Sequence, residues 1–167
     1  MELRLRPLRP GDEESAVRWG ADEEFCLAID WEVNLPPQRI RQHWQGIINA
    51  SEPDFLRLGI ALDDLLVGYT DLAQITADSA EFGIAIGERA LWGHGLGLQA
   101  GRLTLAQAFT ELGLQTVTAE AHAPNSRSRA LMLRLGFTET GLGGLEEYRG
   151  EMVPVVRFVL ERENFGG

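Results

Sequence analysis

The chain has 167 residues, with 15 basic and 25 acidic side chains and a net charge of −10, and every basic residue is an arginine. This balance disfavours a nucleic-acid backbone as partner and favours cationic or amine-bearing ones. A single cysteine, Cys26, excludes an intrachain disulfide and a multi-cysteine zinc site, and no apolar run approaches membrane-spanning length.

The expected organisation is one domain over residues 1–167 with a frayed tail at 163–167, in a soluble, cytoplasmic protein, since "MELRLRPLRP" lacks the apolar stretch of a signal peptide. In "ELRLRPL", Leu3 and Leu5 alternate with charge and predict an edge or half-buried strand ended by Pro7. Residues 12–25 read as helix, with Asp12 as N-cap and a break at Gly20. Prolines open a second helix over 36–50, which puts Ile40, Trp44, Ile47 and Ile48 on one side. Three strands follow at 55–62, 65–75 and 81–87, joined by short turns as an antiparallel meander. The pattern then changes to a helix at 95–112, a strand at 116–121, a helix at 126–135, the segment "FTETGLG" and a closing strand at 153–161. Antiparallel strands first and helix-connected strands afterwards predict an α+β fold with a mixed sheet.

The stretch "LWGHGLGLQAGRLTLAQAFTELG" (91–113) places Gly93, Gly95 and Gly97 at alternate positions ahead of a helical pattern. Backbone bare of side chains at a helix start can form a nest of N–H groups around an anion, or it can be only a turn. A Walker loop is excluded because the chain has no lysine. The dinucleotide fingerprint fails because Leu98 and Ala100 stand where its third glycine would fall.

Strand "EFGIAI", loop "WGHGLG", long helix, strand "TVTAEA" and then "PNSRSRALMLRLGF" follow in that order. This order resembles the GNAT superfamily of acetyl-CoA-dependent N-acetyltransferases. Within it, the chain is similar to the branch of ribosomal-protein N-terminal and aminoglycoside 6′-N-acetyltransferases. The similarity runs from about residue 3 to 161. It implies a twisted sheet of about seven strands with helices on both faces and a V-shaped split between strands 81–87 and 116–121. It also implies acetyl-CoA as cosubstrate, with no metal. The pantetheine arm would pair with backbone at Ile84, Ala85 and Ile86, and the pyrophosphate would lie on the N–H groups of Gly93, His94, Gly95, Leu96, Gly97 and Leu98. Trp92 stands where the general family pattern has glutamine or arginine. Asn125 matches the family's asparagine near the pantetheine, although it can equally cap the helix after it, and Arg129 would serve the nucleotide end.

Acetyl transfer needs a neutral amine, so a base must take the ammonium proton. Glu81, at the entrance to the cofactor strand, is the first choice and His122, on the facing strand, the second; Glu120 reads better as an exposed strand charge. Many relatives carry a tyrosine as general acid where this chain has Met132, with Tyr69 and Tyr148 as spatial substitutes. The acceptor side, where acids concentrate, includes Asp71 and Trp31 as substrate-binding residues, whereas Trp44 fits the core. The partners implied are an amine-bearing small molecule or a basic peptide or protein N-terminus, and neither nucleic acid nor membrane, with a homodimer left open. The missing tyrosine keeps a second class in view, a non-catalytic acyl-CoA sensor or protein-interaction module on the same fold.

Overall fold

The computed structural model describes residues 2–166. Its strands are β1 (Leu3–Pro7), β2 (Leu56–Leu62), β3 (Leu65–Ala73), β4 (Ser79–Ile86), β5 (Thr116–His122), β6 (Thr138–Tyr148) and β7 (Glu151–Glu161). The helices are α1 (Glu13–Gly20), α2 (Glu23–Ile29), α3 (Pro37–Asn49), α4 (Leu96–Ala106) and α5 (Ser126–Leu135). One mixed sheet runs in the order β1-β2-β3-β4-β5-β7-β6, antiparallel everywhere except between β4 and β5. The expected α+β architecture, with seven strands and helices on both faces, is the one observed.

Strand alternation divides the core. On one face Phe82 of β4, Val117 and Ala119 of β5 and Phe158 of β7 meet Leu105 of α4 and Met132 and Leu135 of α5. On the other, Tyr69 and Ala85 are covered by Trp19, Phe25, Ile40 and Trp44 from α1, α2 and α3. Ile40 and Trp44 are thus the buried part of the predicted α3 stripe, while Ile47 and Ile48 are half-buried.

Several local expectations change. Asp12 precedes α1 but does not cap it with its side chain. Its carboxylate instead takes two bonds of 2.9 Å from the Arg6 guanidinium and one of 2.8 Å from the Arg9 amide. A charge-assisted bidentate pair outcompetes a single capping bond. The break at Gly20 is real, and Asp22 caps α2 through the Phe25 amide. Gln74 adopts a left-handed backbone (φ 50°) and ends β3 early. The Thr76 hydroxyl then accepts from the amides of Asp78 and Ser79, so β4 starts at Ser79 rather than 81. Helix α4 passes into a π-helical turn over Gln107–Glu111, closed by the Leu112 amide on the Gln107 carbonyl. The tail expected to fray forms a 3-10 turn at Arg162–Asn164, and Phe165 packs on Phe109 with ring centroids 5.3 Å apart. A late aromatic with a hydrophobic partner is ordered by burial. Residue 167 lies outside the described residues.

Strands β3 and β4 approach closely at Gly68, where a Cβ would stand 2.3 Å from the Ala85 carbonyl oxygen. Gly68→Ala should therefore destabilise the fold by about 1–3 kcal/mol. By contrast, Gly46 lies within α3 with nothing within 4 Å of an added Cβ, so Gly46→Ala should stabilise by about 0.5–1 kcal/mol. Urea unfolding of the two variants checks both signs.

Candidate active site

The parallel ladder between β4 and β5 holds only three register pairs, Ser79 with Thr116, Ala80 with Val117 and Glu81 with Thr118. Beyond Glu81 the strands part. Strand β4 stays paired to β3 as far as Ile86, and β5 stays paired to β7 as far as His122. The inner edges of this split carry backbone groups with no strand opposite. Which residues present them follows from alternation: the Gly87 amide donates to the Val67 carbonyl at 2.7 Å, so backbone groups at odd positions turn toward β3. Ile84 and Ile86 therefore face the split. Ala85, expected to share that role, turns its backbone to Tyr69 of β3 and buries its methyl among the aromatics of the other face. The Ile86 carbonyl is occupied by the Trp92 indole N–H at 2.8 Å, which fastens the glycine loop to the end of β4.

The split opens toward the start of α4. Gly93 and Gly95 have φ near +82° and +81°, a left-handed backbone suited to glycine. A Cβ at either would meet nothing within 4 Å, so their outer surface is bare. Among the described residues, the amides from Gly93 to Leu98 donate to no group of the chain; the first bonded one is that of Gln99, on the Gly95 carbonyl at 3.1 Å. Six successive free amides at the positive end of an eleven-residue helix form an anion cradle. The open Cβ positions and free amides fit a pyrophosphate. Across the loop, the Arg127 guanidinium lies over the Trp92 ring, 4.9 Å from its centroid, and adds the positive charge that tryptophan lacks.

Asn125 and Arg129 are held by the chain itself. The Asn125 side-chain oxygen caps α5 by accepting from the Ser128 amide at 3.1 Å. Arg129 donates to the Ala123 carbonyl at 3.0 Å and lies 3.7 Å from Glu139. Arg127, two residues earlier on α5, is the arginine that reaches the cradle's wall, and sequence reasoning passed over it.

Glu81 stands at the apex of the split. Alternation puts it on the same face as Glu120 and His122. Partial burial and the nearby carboxylates of Glu120 and Glu146 raise its pKa above its ordinary value of 4.5. The His122 ring stacks on Tyr148 at 4.5 Å, and its Nε2 lies 3.2 Å from a Glu146 oxygen. The structure thus gathers the two residues expected to act as base around one acidic mouth, with Glu146 as an addition that lay 65 residues from Glu81 in sequence.

Asp71 was expected as a free carboxylate for substrate. It is instead engaged on both oxygens by Arg57, at 2.7 and 2.8 Å, in a largely buried pair. Arg57 lies over the rings of Tyr69 (4.2 Å) and Trp44 (4.9 Å). Trp31 is half-buried, stacks on Tyr69 and donates its indole N–H to the Tyr69 hydroxyl at 3.1 Å. Burial pushes the Tyr69 phenol up to about 12. Met132, at the position of the family tyrosine, packs in the main core.

The family profile described as an acetyltransferase (GNAT) domain matches residues 2–138. Among solved structures, RimJ of Mycobacterium smegmatis in complex with CoA-disulfide superposes with a TM-score of 0.85 at 24% identity, covering 99% of this chain and 84% of that one. Spermidine N-acetyltransferase of Vibrio cholerae in complex with CoA and spermine gives 0.82 at 22% identity, covering 97% and 96%. A GNAT-family acetyltransferase of Bacillus anthracis gives 0.84 at 18%, covering 98% and 96%. At these identities the structures show a shared fold, and the profile, which spans most of the chain, carries the assignment: this protein belongs to the GNAT acetyltransferase family.

Proposed function

We propose that the protein transfers an acetyl group from acetyl-CoA to a primary amine by direct attack in a ternary complex. The observation that carries this reading is the split itself: an edge of unpaired backbone at Ile84 and Ile86 leads into the six-amide cradle, and Glu81 stands at its apex. The cradle from Gly93 to Leu98 holds the pyrophosphate, with Arg127 beside it. The Ile84 amide and carbonyl and the Ile86 amide are the strand groups available to the pantetheine arm and to the oxygen on which negative charge develops. Acetyl-CoA supplies an already activated thioester. The chain's task is to deliver a neutral amine.

An alkylammonium with pKa near that of lysine, about 10.4, cannot attack until it loses a proton. Glu81 takes that proton, directly or through water. Its raised pKa makes it a better base than an exposed carboxylate while Glu120 and Glu146 draw the ammonium in. His122 is the alternative base on the facing strand. The departing thiolate takes its proton from water or from Tyr148, whose ring stacks on His122 at the mouth; Met132 offers none, and Tyr69 holds its own more tightly than an ordinary phenol. The acceptor is a small-molecule amine or a basic peptide N-terminus; the related Vibrio cholerae enzyme named above is a spermidine N-acetyltransferase, whose acceptor is an amine of the first kind.

Three measurements check this reading. Gly95→Asp places a side chain and a negative charge in the cradle at a left-handed position and should abolish acetyl-CoA binding in calorimetry, whereas unchanged affinity would remove the cradle from the site. Free thiol released from acetyl-CoA on addition of an amine panel, above the amine-free blank, marks the enzyme. Binding without turnover on any amine would instead favour an acyl-CoA sensor, the reading that the apolar residue at 132 supports.

Glu81→Gln separates chemistry from stability. Turnover should fall roughly ten- to a thousand-fold, and the loss should shrink at high pH, where free amine is abundant. Stability should move the other way. A carboxyl whose pKa is raised in the fold is ionised there at a cost that is absent below pH 4.5 and fully present above the raised value. The variant should therefore melt higher than the parent at neutral pH, with the difference closing as pH falls below 4.5. Wild-type turnover from pH 6 to 9 would remove Glu81 from the mechanism and make His122→Gln the next substitution to measure.

A further inference from the structure

The acceptor face has two ends of opposite character joined by a bare floor. Arg57 of β2, Asp71 of β3 and Gly83 of β4 lie side by side in one row of the sheet. Two strand spacings put Arg57 about 10 Å from β4 at the edge of the split. Gly83 contributes no side chain, and a Cβ there would meet only the Asp71 Cβ, at 3.8 Å. The row is therefore bare at Gly83, between the acidic mouth of Glu81, Glu120 and Glu146 and the pair of Asp71 and Arg57.

At the far end lies a cavity of about 230 Å³ beneath α3, with apolar walls of Trp31, Leu35, Ile40 and Trp44. Its polar lining holds two guanidinium cations, Arg39 and Arg57, with His43 beside them and Glu32 the single acid. Asp71 occupies Nε and Nη2 of Arg57 and leaves Nη1 without a partner in the chain among the described residues. No buried side-chain nitrogen is left unsatisfied among the described residues, so Nη1 is open to solvent, in the side chain that lines the cavity. Arg39 and His43, one helical turn apart on α3, are exposed, and neither enters an ion pair among the described residues. In a chain of net charge −10 with most arginines bound to acids, this is a site built for an oxygen acceptor.

We infer that the acceptor is an amine with an apolar body ending in a carboxylate, its amine at Glu81 and its carboxylate in the Arg57, Arg39 and His43 cavity. This names the substrate class of the site proposed above and rests on that reading. It opposes a polyamine, whose second ammonium would be driven against two guanidinium cations. The carboxylate gains charge-assisted hydrogen bonds, and the apolar body covers the floor at Gly83 and the half-buried ring of Trp31.

The test uses three probes of matched chain length, 8-aminooctanoate, octylamine and 1,8-diaminooctane, each with the intact protein and acetyl-CoA. The expected result is kcat/KM for 8-aminooctanoate higher by about tenfold or more than for the other two, as one charge-assisted hydrogen bond supplies. In the Arg39→Gln, His43→Gln double variant the preference over octylamine should shrink to about threefold or less, with the fold intact because both side chains are exposed and unpaired. Equal rates, or a preference for the diamine, would overturn this inference and leave acetyl transfer standing. Binding is read separately from the intrinsic tryptophan fluorescence, compared with that of a Trp31→Phe variant so that the change at the cavity is isolated from the other three tryptophans. Saturation selective for 8-aminooctanoate and weakened in the double variant, with none of the amines acetylated, would uphold the ligand class and overturn acetyl transfer. Neither turnover nor a selective fluorescence change overturns the inference.

Discussion

The ladder between β4 and β5 stops after Glu81 and Thr118, and the site depends on that stop. Two strands can diverge in mid-sheet because each keeps its outer partner, β3 for one and β7 for the other, and only the inner bonds are forgone. Those inner groups cannot stay unpaired in a dry interior, so the wedge is either wet or filled by a ligand with its own amides and carbonyls. The glycine loop continues the same theme. Among the described residues its amides are also without acceptors in the chain, and the Trp92 bond to Ile86 holds the loop's donors against the end of the strand edge.

The other half of the site is rigid for a different reason. Trp19, Phe25, Trp31, Trp44 and Tyr69 form one aromatic cluster with centroid separations of 5.0 to 6.4 Å. Arg57 is pressed over this cluster and clamped by Asp71. Breaking such a pair from one side leaves a buried charge without compensation and costs about 3–5 kcal/mol, so the guanidinium is fixed in position. A fixed cation beside a cavity, with its third nitrogen open to solvent, is preorganised: little side-chain entropy remains to be lost when an acceptor oxygen arrives.

What was legible in the sequence was what local rules decide. The glycine spacing marked the start of α4, and the asparagine and glycine that bound α5 gave its limits as 126–135, as observed. The turn chemistry between hydrophobic runs gave the meander. What was not legible depended on partners far along the chain. Asp71 looked like a free acid because Arg57 lies fourteen residues away on another strand, and Asp12 looked like a cap because Arg6 precedes it on β1. The parity that turns Ile84 and Ile86, but not Ala85, toward the split is fixed by the register of β4 on β3, which the Gly87 bond to Val67 reveals. Arg127 and Arg129 lie on the same helix with the same charge, and only the loop's final position tells which one reaches Trp92.

The treatment of charge across the molecule bears on what the acidic mouth is for. Arginines neutralise Asp12, Glu14, Asp22, Glu24, Asp71 and Glu88, so the chain has counter-ions and places them against acids wherever the fold needs them. At the apex of the split, among the described residues, no arginine pairs with Glu81 or Glu120, although Arg157 of β7 stands opposite Glu120 and His122 lies against Glu146. Glu81 faces Glu120 and Glu146 with a raised pKa, and among the described residues neither Glu81 nor Glu120 forms an ion pair. Carboxylates crowded in this way repel one another and hold their protons more tightly, which is unfavourable for stability at neutral pH and favourable for taking a proton from an incoming ammonium. In the proposed reaction the compensating positive charge arrives with the amine and leaves as a proton, which gives the crowding of Glu81 with Glu120 and Glu146 a use.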